Sequence, residues 1–159
     1  MLMKLEQVQN IAQEFISFIN PYCKRWEIVG SIRRKKPEVK DIDIVLIPKD
    51  LDSFFKIKET VGKISKVSKS GTKIISTNYN GIMIDLYIAD DEHYETKKMI
   101  FTGSISFNRM LCFNALQKEM KIKADGTGLI DKNGKILAKD EKEILLRVLG
   151  RYYEPEERI

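Results

Sequence analysis

Asp41-Ile42-Asp43-Ile44-Val45-Leu46-Ile47, ended by Pro48, is the stretch on which the reading of this chain turns. Alternate residues of a strand point to opposite faces, so Asp41 and Asp43 project together while Ile42 and Ile44 turn into apolar packing. Two carboxylates side by side on an otherwise apolar strand repel each other and resist desolvation. A divalent cation removes that cost, because Mg²⁺ takes hard oxygen ligands and cancels the charge. The plainer alternative is an exposed edge strand whose aspartates are only hydrated. A second strand, Ile82-Met83-Ile84-Asp85-Leu86-Tyr87-Ile88, weighs against it. A lone acid in so apolar a run needs a partner, and a cation shared with the neighbouring strand supplies one. Three such carboxylates can hold two Mg²⁺ ions about 3.5–4 Å apart, with Asp85 serving one of them and acting as base for an attacking hydroxyl.

Just upstream stands Val29-Gly30-Ser31-Ile32-Arg33-Arg34. Gly30 allows a phosphate to approach the backbone, the Ser31 hydroxyl and nearby N–H groups can donate to it, and Arg34 can grip it through a planar fork. A Gly-Ser followed by basic residues is also common in surface turns. Gly-Ser, arginines and Asp-x-Asp in such close succession form a more specific signal than any of them alone.

Further out, Leu5, Val8, Ile11, Ala12, Phe15, Ile16 and Ile19 recur at helical spacing and predict a helix over 4–19, stopped by Pro21. Residues 26–29 predict a short strand. After Pro48, Asp50 or Asp52 can cap a helix carrying Leu51, Phe54, Phe55, Val61 and Ile64. Strands over 72–77 and 82–88 are joined through Asn80-Gly81, a strong hairpin signal. This order predicts an α+β fold whose mixed sheet is backed by helices on one side. Asp90–Glu95, which contains the single histidine, His93, reads as a solvated connector. Beyond it Ser104 can cap a helix with Phe107, Leu111 and Leu116 on one side. Short strands over 121–123, 128–130 and 135–137 follow, the last two joined at Asn133-Gly134. Asp140 and Glu143 then fit a capping box for a helix ending at Gly150. The division into two units falls at 1–92 and 93–159.

With 43% hydrophobic residues among 159, the chain can bury a real core. Lys and Arg number 28 against 23 Asp and Glu, and the resulting charge of +5 favours a polyanionic partner without requiring one. Two cysteines, Cys23 and Cys112, make neither a disulfide framework nor a paired-cysteine zinc site, which suits a reducing, cytoplasmic compartment; a monomer is expected. No long apolar run or leader pattern suggests a membrane or secretory role.

Gly30-Ser31 with Asp41-x-Asp43 resembles the nucleotidyltransferase superfamily to which DNA polymerase β belongs. Phe101-Thr102-Gly103-Ser104 followed by Phe107-Asn108 resembles the thumb segment of family X DNA polymerases. Gly128-Leu129-Ile130-Asp131, Glu141-Lys142-Glu143-Ile144, Leu149-Gly150 and Tyr153-Glu154-Pro155-Glu156-Glu157-Arg158 are similar to that family's carboxyl end. The resemblance implies a palm over 1–92 and a small α+β thumb over 93–159. It implies Asp41, Asp43 and Asp85 as ligands of two Mg²⁺ ions, for which Mn²⁺ can substitute, and Gly30, Ser31 and Arg34 as the hold on a triphosphate. Phe101 and Gly103 border the sugar and Asn108 reaches the minor-groove edge of the incoming base, while Phe107 reads as packing core. The implied activity is DNA-directed addition of deoxynucleotides from their triphosphates to the primer 3′ end of primer–template or gapped DNA, in gap-filling repair. Relatives often carry arginine where this chain has Met83, and again where it has Cys112. Arg109 and Cys112 are therefore the DNA-facing positions at which template checking differs, and an error-prone enzyme is expected. The segment before Gly30 has room for one helix, so neither lyase activity nor a tight grip on gapped ends is expected. Two other readings stay open: a template-independent nucleotidyltransferase acting on RNA or protein, and a catalytically silent nucleic-acid-binding module.

Overall fold

The computed structural model describes residues 1–159. A two-residue strand, β1 (Met3–Lys4), leads into α1 (Leu5–Ile19), whose buried stripe is Val8, Ala12, Phe15, Ile16 and Ile19. A 3-10 turn holding Pro21 ends the helix. Then come β2 (Cys23–Ile28), the four-residue helix α2 (Gly30–Arg33), β3 (Glu38–Val39) and β4 (Asp41–Pro48). β3 pairs with β1, and β4 with β2. α3 (Leu51–Ile64) is capped by Asp50, whose side chain accepts from the Ser53 N–H. It turns Ile57 and Val61 inward and leaves Leu51 and Phe55 exposed.

β5 (Lys66–Ser70), β6 (Ile74–Tyr79) and β7 (Ile82–Ile88) complete a five-stranded sheet of order β2-β4-β7-β6-β5. Only β4 and β7 run parallel, so the sheet is mixed as expected. Asn80 and Gly81 make the β6–β7 turn with φ of 50° and 82°, the positive values such a tight hairpin demands. β5 was not foreseen: all five of its residues are exposed, so no apolar alternation marks it. The apolar side of β4, Ile42, Ile44 and Leu46, packs with Ile84, Leu86, α1 and α3 into an 18-residue core. Asp41, Asp43 and Val45 face the other way.

That second face is not left bare, which corrects the expectation of helices on one side only. α4 (Tyr94–Thr102) begins inside the supposed connector and lies over the Val45 end of the face, where Tyr94 packs with Val29, Val45, Ile47 and Ala89. Its pattern is hard to read because it is buried on two sides. Tyr94 belongs to this cluster, while Met99 enters a separate 10-residue core.

That core is built by α5 (Ile105–Gln117), a small antiparallel sheet of β8 (Met120–Lys123), β9 (Gly128–Asp131) and β10 (Ile136–Ala138), and α6 (Glu141–Leu149). Ser104 caps α5 by accepting from the Phe107 N–H, and Asp140 caps α6 by accepting from the Glu143 N–H. The buried stripe of α5 is Phe107, Leu111 and Ala115, not the expected Leu116, which is 61% exposed. Repeats of four stay on one side of a helix, whereas five residues turn it by about 1.4 turns and out of the core. No helix is long and apolar enough to cross a membrane.

Candidate active site

The parallel pairing of β4 with β7 sets Asp43 directly opposite Asp85, and Asp41 opposite Met83. Opposed residues share a face and neighbouring strands lie about 4.8 Å apart, so the three aspartates stand on adjoining positions of one surface. Tyr87, two residues beyond Asp85 and on the same face, donates to Asp43 Oδ1 at 3.2 Å. Ser76, opposite Asp85 in β6, donates to Asp85 Oδ1. Burial, then the charge of Asp41, pushes the Asp43 carboxyl up to about 6, with Asp85 adding to the rise; the Tyr87 hydrogen bond and the Arg34 charge pull against it.

These are hard, anionic oxygen donors on adjoining positions of one face, and that chemistry fits a divalent cation. No three His, Cys, Asp or Glu side chains are drawn together into a closed cage.

Gly30 opens α2 at φ +62°, and a Cβ on it would lie 2.2 Å from Asp43 Oδ2. Its bare face makes room for Asp43, and Gly30 also lines the cleft beside Ser31 and Arg34. Arg34 follows α2 and turns back toward Ser31, whose Oγ accepts from Nη2 at 3.3 Å. Its Nη1 donates to the Thr102 carbonyl, and its Nε is buried without a partner. Burial lowers the Arg34 pKa, while Asp43 and then Asp41 counter the shift. The guanidinium lies against Gly103, where a Cβ would stand 3.0 Å from Nη1.

A cleft of about 320 Å³ joins these parts. Gly30, Ser31, Arg34 and Asp43 line one side, and Phe101, Gly103 and Asn108 line the other. Phe101 stacks on Tyr87 with ring centroids 3.6 Å apart and planes within 11°, so the ring that borders the cleft leans on the side chain that holds Asp43. Asn108 Nδ2 donates to the Ile100 carbonyl at 2.8 Å. Asp41 and Asp85 are not among the cleft's lining residues, and neither are Arg109 and Cys112. Arg109 is exposed. Cys112, exposed one turn beyond Asn108, borders a separate hollow of about 100 Å³ with Leu111 and Met99.

Tyr87, Ser76, Arg33, Glu141 and Arg158 also shape the site and were not among the site residues expected from the sequence. Tyr87 was detectable, because residues two apart on a strand share a face and Asp85 had already been singled out. Ser76 carried no signal of its own. Arg33 and Glu141 meet across 108 residues of sequence in a two-pronged pair, with both distances 2.8 Å. Arg33 Nη1 also donates to Thr102 Oγ1 at 2.7 Å, and the fully buried Arg158 donates to Glu141 Oε1 at 2.6 Å. Burial alone would raise the Glu141 carboxyl; the Arg33 hydrogen bonds and the Arg158 and Arg33 charges outweigh it and hold it at about 2. This network fastens the segment carrying Ser31 and Arg34 to α4 and α6, and with them to the other wall of the cleft.

Residues 98–159 match the family described as DNA polymerase beta thumb. No curated protein matches the chain. The thumb match supports a polymerase-β-like relationship for the segment that supplies Phe101, Gly103 and Asn108.

Proposed function

We propose that the chain is a divalent-cation-dependent nucleotidyltransferase and, more specifically, a DNA-directed DNA polymerase that adds deoxynucleoside monophosphates to a primer 3′ end in gap filling. The observation that carries this reading is the single cleft in which Ser31 and Arg34 face Phe101, Gly103 and Asn108, with Asp43 on its wall. The thumb match at 98–159 extends the reading to DNA as the partner.

Arg34 has spare capacity for an anion at Nη2, which holds only the long contact to Ser31. A triphosphate takes that nitrogen through a charge-assisted hydrogen bond, with the Ser31 hydroxyl turned to donate as well. Phe101, stiffened by its stack on Tyr87, forms a flat wall for the sugar. One hydrogen of the Asn108 amide is committed to Ile100, and the other remains for an acceptor on the minor-groove edge of the base. The attacking 3′ oxygen bonds to the α-phosphorus as pyrophosphate leaves. Asp85, oriented by Ser76, accepts the hydroxyl proton. Mg²⁺, or Mn²⁺ in its place, held by Asp41, Asp43 and Asp85, supplies charge neutralisation at the phosphates when bound.

The test is extension of a labelled primer with each nucleotide offered separately, with and without a template. Addition that follows the template supports the polymerase. A second reading, template-independent transfer to RNA or protein, draws on one observation: the side chain at position 112 is a short, exposed cysteine outside the cleft. Equal addition of all four nucleotides without a template would favour it.

A further inference from the structure

β5 is an open edge of the five-stranded sheet. From Thr60 to Ile84 the chain carries Lys63, Lys66, Lys69 and Lys73 and no acid. Lys63 is paired with Glu59 at 2.7 Å, whereas the exposed Lys66 and Lys69 have no carboxylate partner. In a regular strand, residues three apart face opposite sides. Here the pairing register shifts between Val67 and Lys69, so Ser68 is an inserted bulge residue, with its hydroxyl donating to the Ser76 carbonyl at 3.2 Å.

The bulge decides where the lysines point. Lys66 stands opposite Asn78 and Lys69 opposite Ser76. Asn78 and Ser76 stand opposite Met83 and Asp85, and these in turn opposite Asp41 and Asp43. Directly opposed residues share a face, so two rows cross the sheet from the open edge to the aspartates. One runs Lys69, Ser76, Asp85, Asp43; the other runs Lys66, Asn78, Met83, Asp41. Both ammonium groups therefore stand on the aspartate face. β5 lies two strand spacings from β7, about 10 Å. That span is about three nucleotide steps at 3.4 Å per step.

We propose that Lys66 and Lys69 clamp the primer strand through its phosphates, about two to four steps upstream of the 3′ end that faces Asp85. The inference rests on the polymerase reading of the cleft. The occupant is set by charge complementarity, since two unpaired cations beside an acid-free stretch suit a polyanionic backbone. Lysines on an edge strand also discourage another strand from adding. That role requires charge, but neither a shared face nor a bulge.

Labelled primer–template is titrated with the full chain, without nucleotide, from about 50 to about 300 mM salt. The proteins are the parent, the Lys66→Ala/Lys69→Ala pair and the Lys66→Arg/Lys69→Arg pair. The alanine pair should weaken binding by some tens of fold at about 0.1 M and reduce the log–log salt slope by about 2. The arginine pair should preserve both, and all three should melt alike because the positions are exposed. Single neutral methylphosphonate linkages then locate the contact. In the parent, those near the second to fourth primer phosphates should weaken binding, and in the alanine pair the same linkages should have no effect. An unchanged slope in the alanine pair overturns the clamp, as does sensitivity confined to the template strand. Primer extension by the parent on the same DNA separates the two failures. A parent that extends, with an alanine pair that binds like it, removes the clamp alone; a parent that never extends removes the polymerase reading and the clamp together.

Discussion

Asp43 is the most constrained of the three aspartates. It abuts the bare face of Gly30, accepts from Tyr87, stands opposite Asp85 and feels the Arg34 charge. Its carboxylate is a source of repulsion in the cation-free protein, so neutralising it should not harm the fold. In Asp43→Asn the side chain keeps its shape and an acceptor for Tyr87, and nucleotide addition should fall on the order of a thousandfold, as expected from losing several kcal/mol of cation-assisted stabilisation. Thermal melting should be equal to or above the parent's; parent-level addition in Mg²⁺ would remove the metal role. At Cys112 the expectation concerns selectivity. An arginine one turn beyond Asn108 is long enough to reach a template base edge, while cysteine is short and a weak donor. Cys112→Arg should lower misinsertion roughly tenfold or more while changing correct insertion less, since one good hydrogen-bonded discriminator contributes about 1–3 kcal/mol. Single-nucleotide insertion kinetics with matched and mismatched pairs measure this. Equal selectivity in both proteins would shift the checking role to Arg109 or another side chain.

At the scale of elements, α4 is the joint on which the cleft depends. It packs Tyr94 against the five-stranded sheet, sends Met99 into the second core and ends at Thr102, where Arg33 and Arg34 both attach. α6 closes the joint through Glu141. Removing that charge leaves Arg33 and Arg158 facing each other without their shared anion, so Glu141→Gln should cost about 3–5 kcal/mol. A denaturant melt reads that loss. The same group sets an acid limit. Its folded carboxyl, at about 2, lies below the ordinary 4.5, so its contribution is present at neutral pH and is lost as pH falls through the window from 4.5 to about 2. The parent should therefore lose stability across that window more steeply than Glu141→Gln. Parallel acid-melting curves for the two proteins would show that Glu141 carries no such linkage.

On the scale of the whole molecule, a charge of +5 favours a polyanionic partner. Binding of primer–template should rest on phosphate contacts and weaken steeply with salt. Tight, salt-insensitive binding with strong preference for gaps, measured by titration across a salt series, would contradict this. The features legible in the sequence are those set by neighbours along the chain. Alternation in 41–47 and 82–88 announced two half-polar strands. Asn80-Gly81 announced the turn, and Asp50, Ser104 and Asp140 announced helix starts, because each cap bonds an N–H three residues on. Tertiary structure alone decided that β4 and β7 lie side by side in the register that opposes Asp43 to Asp85, and that Arg33 finds Glu141. It alone made β5 a strand and α4 a helix, since an exposed edge and a segment buried on two sides lack the one-faced periodicity that local patterning supplies. Local chemistry determined which residues could carry charge and where the backbone turned; which charges came to share a face was decided by the packing of segments far apart along the chain.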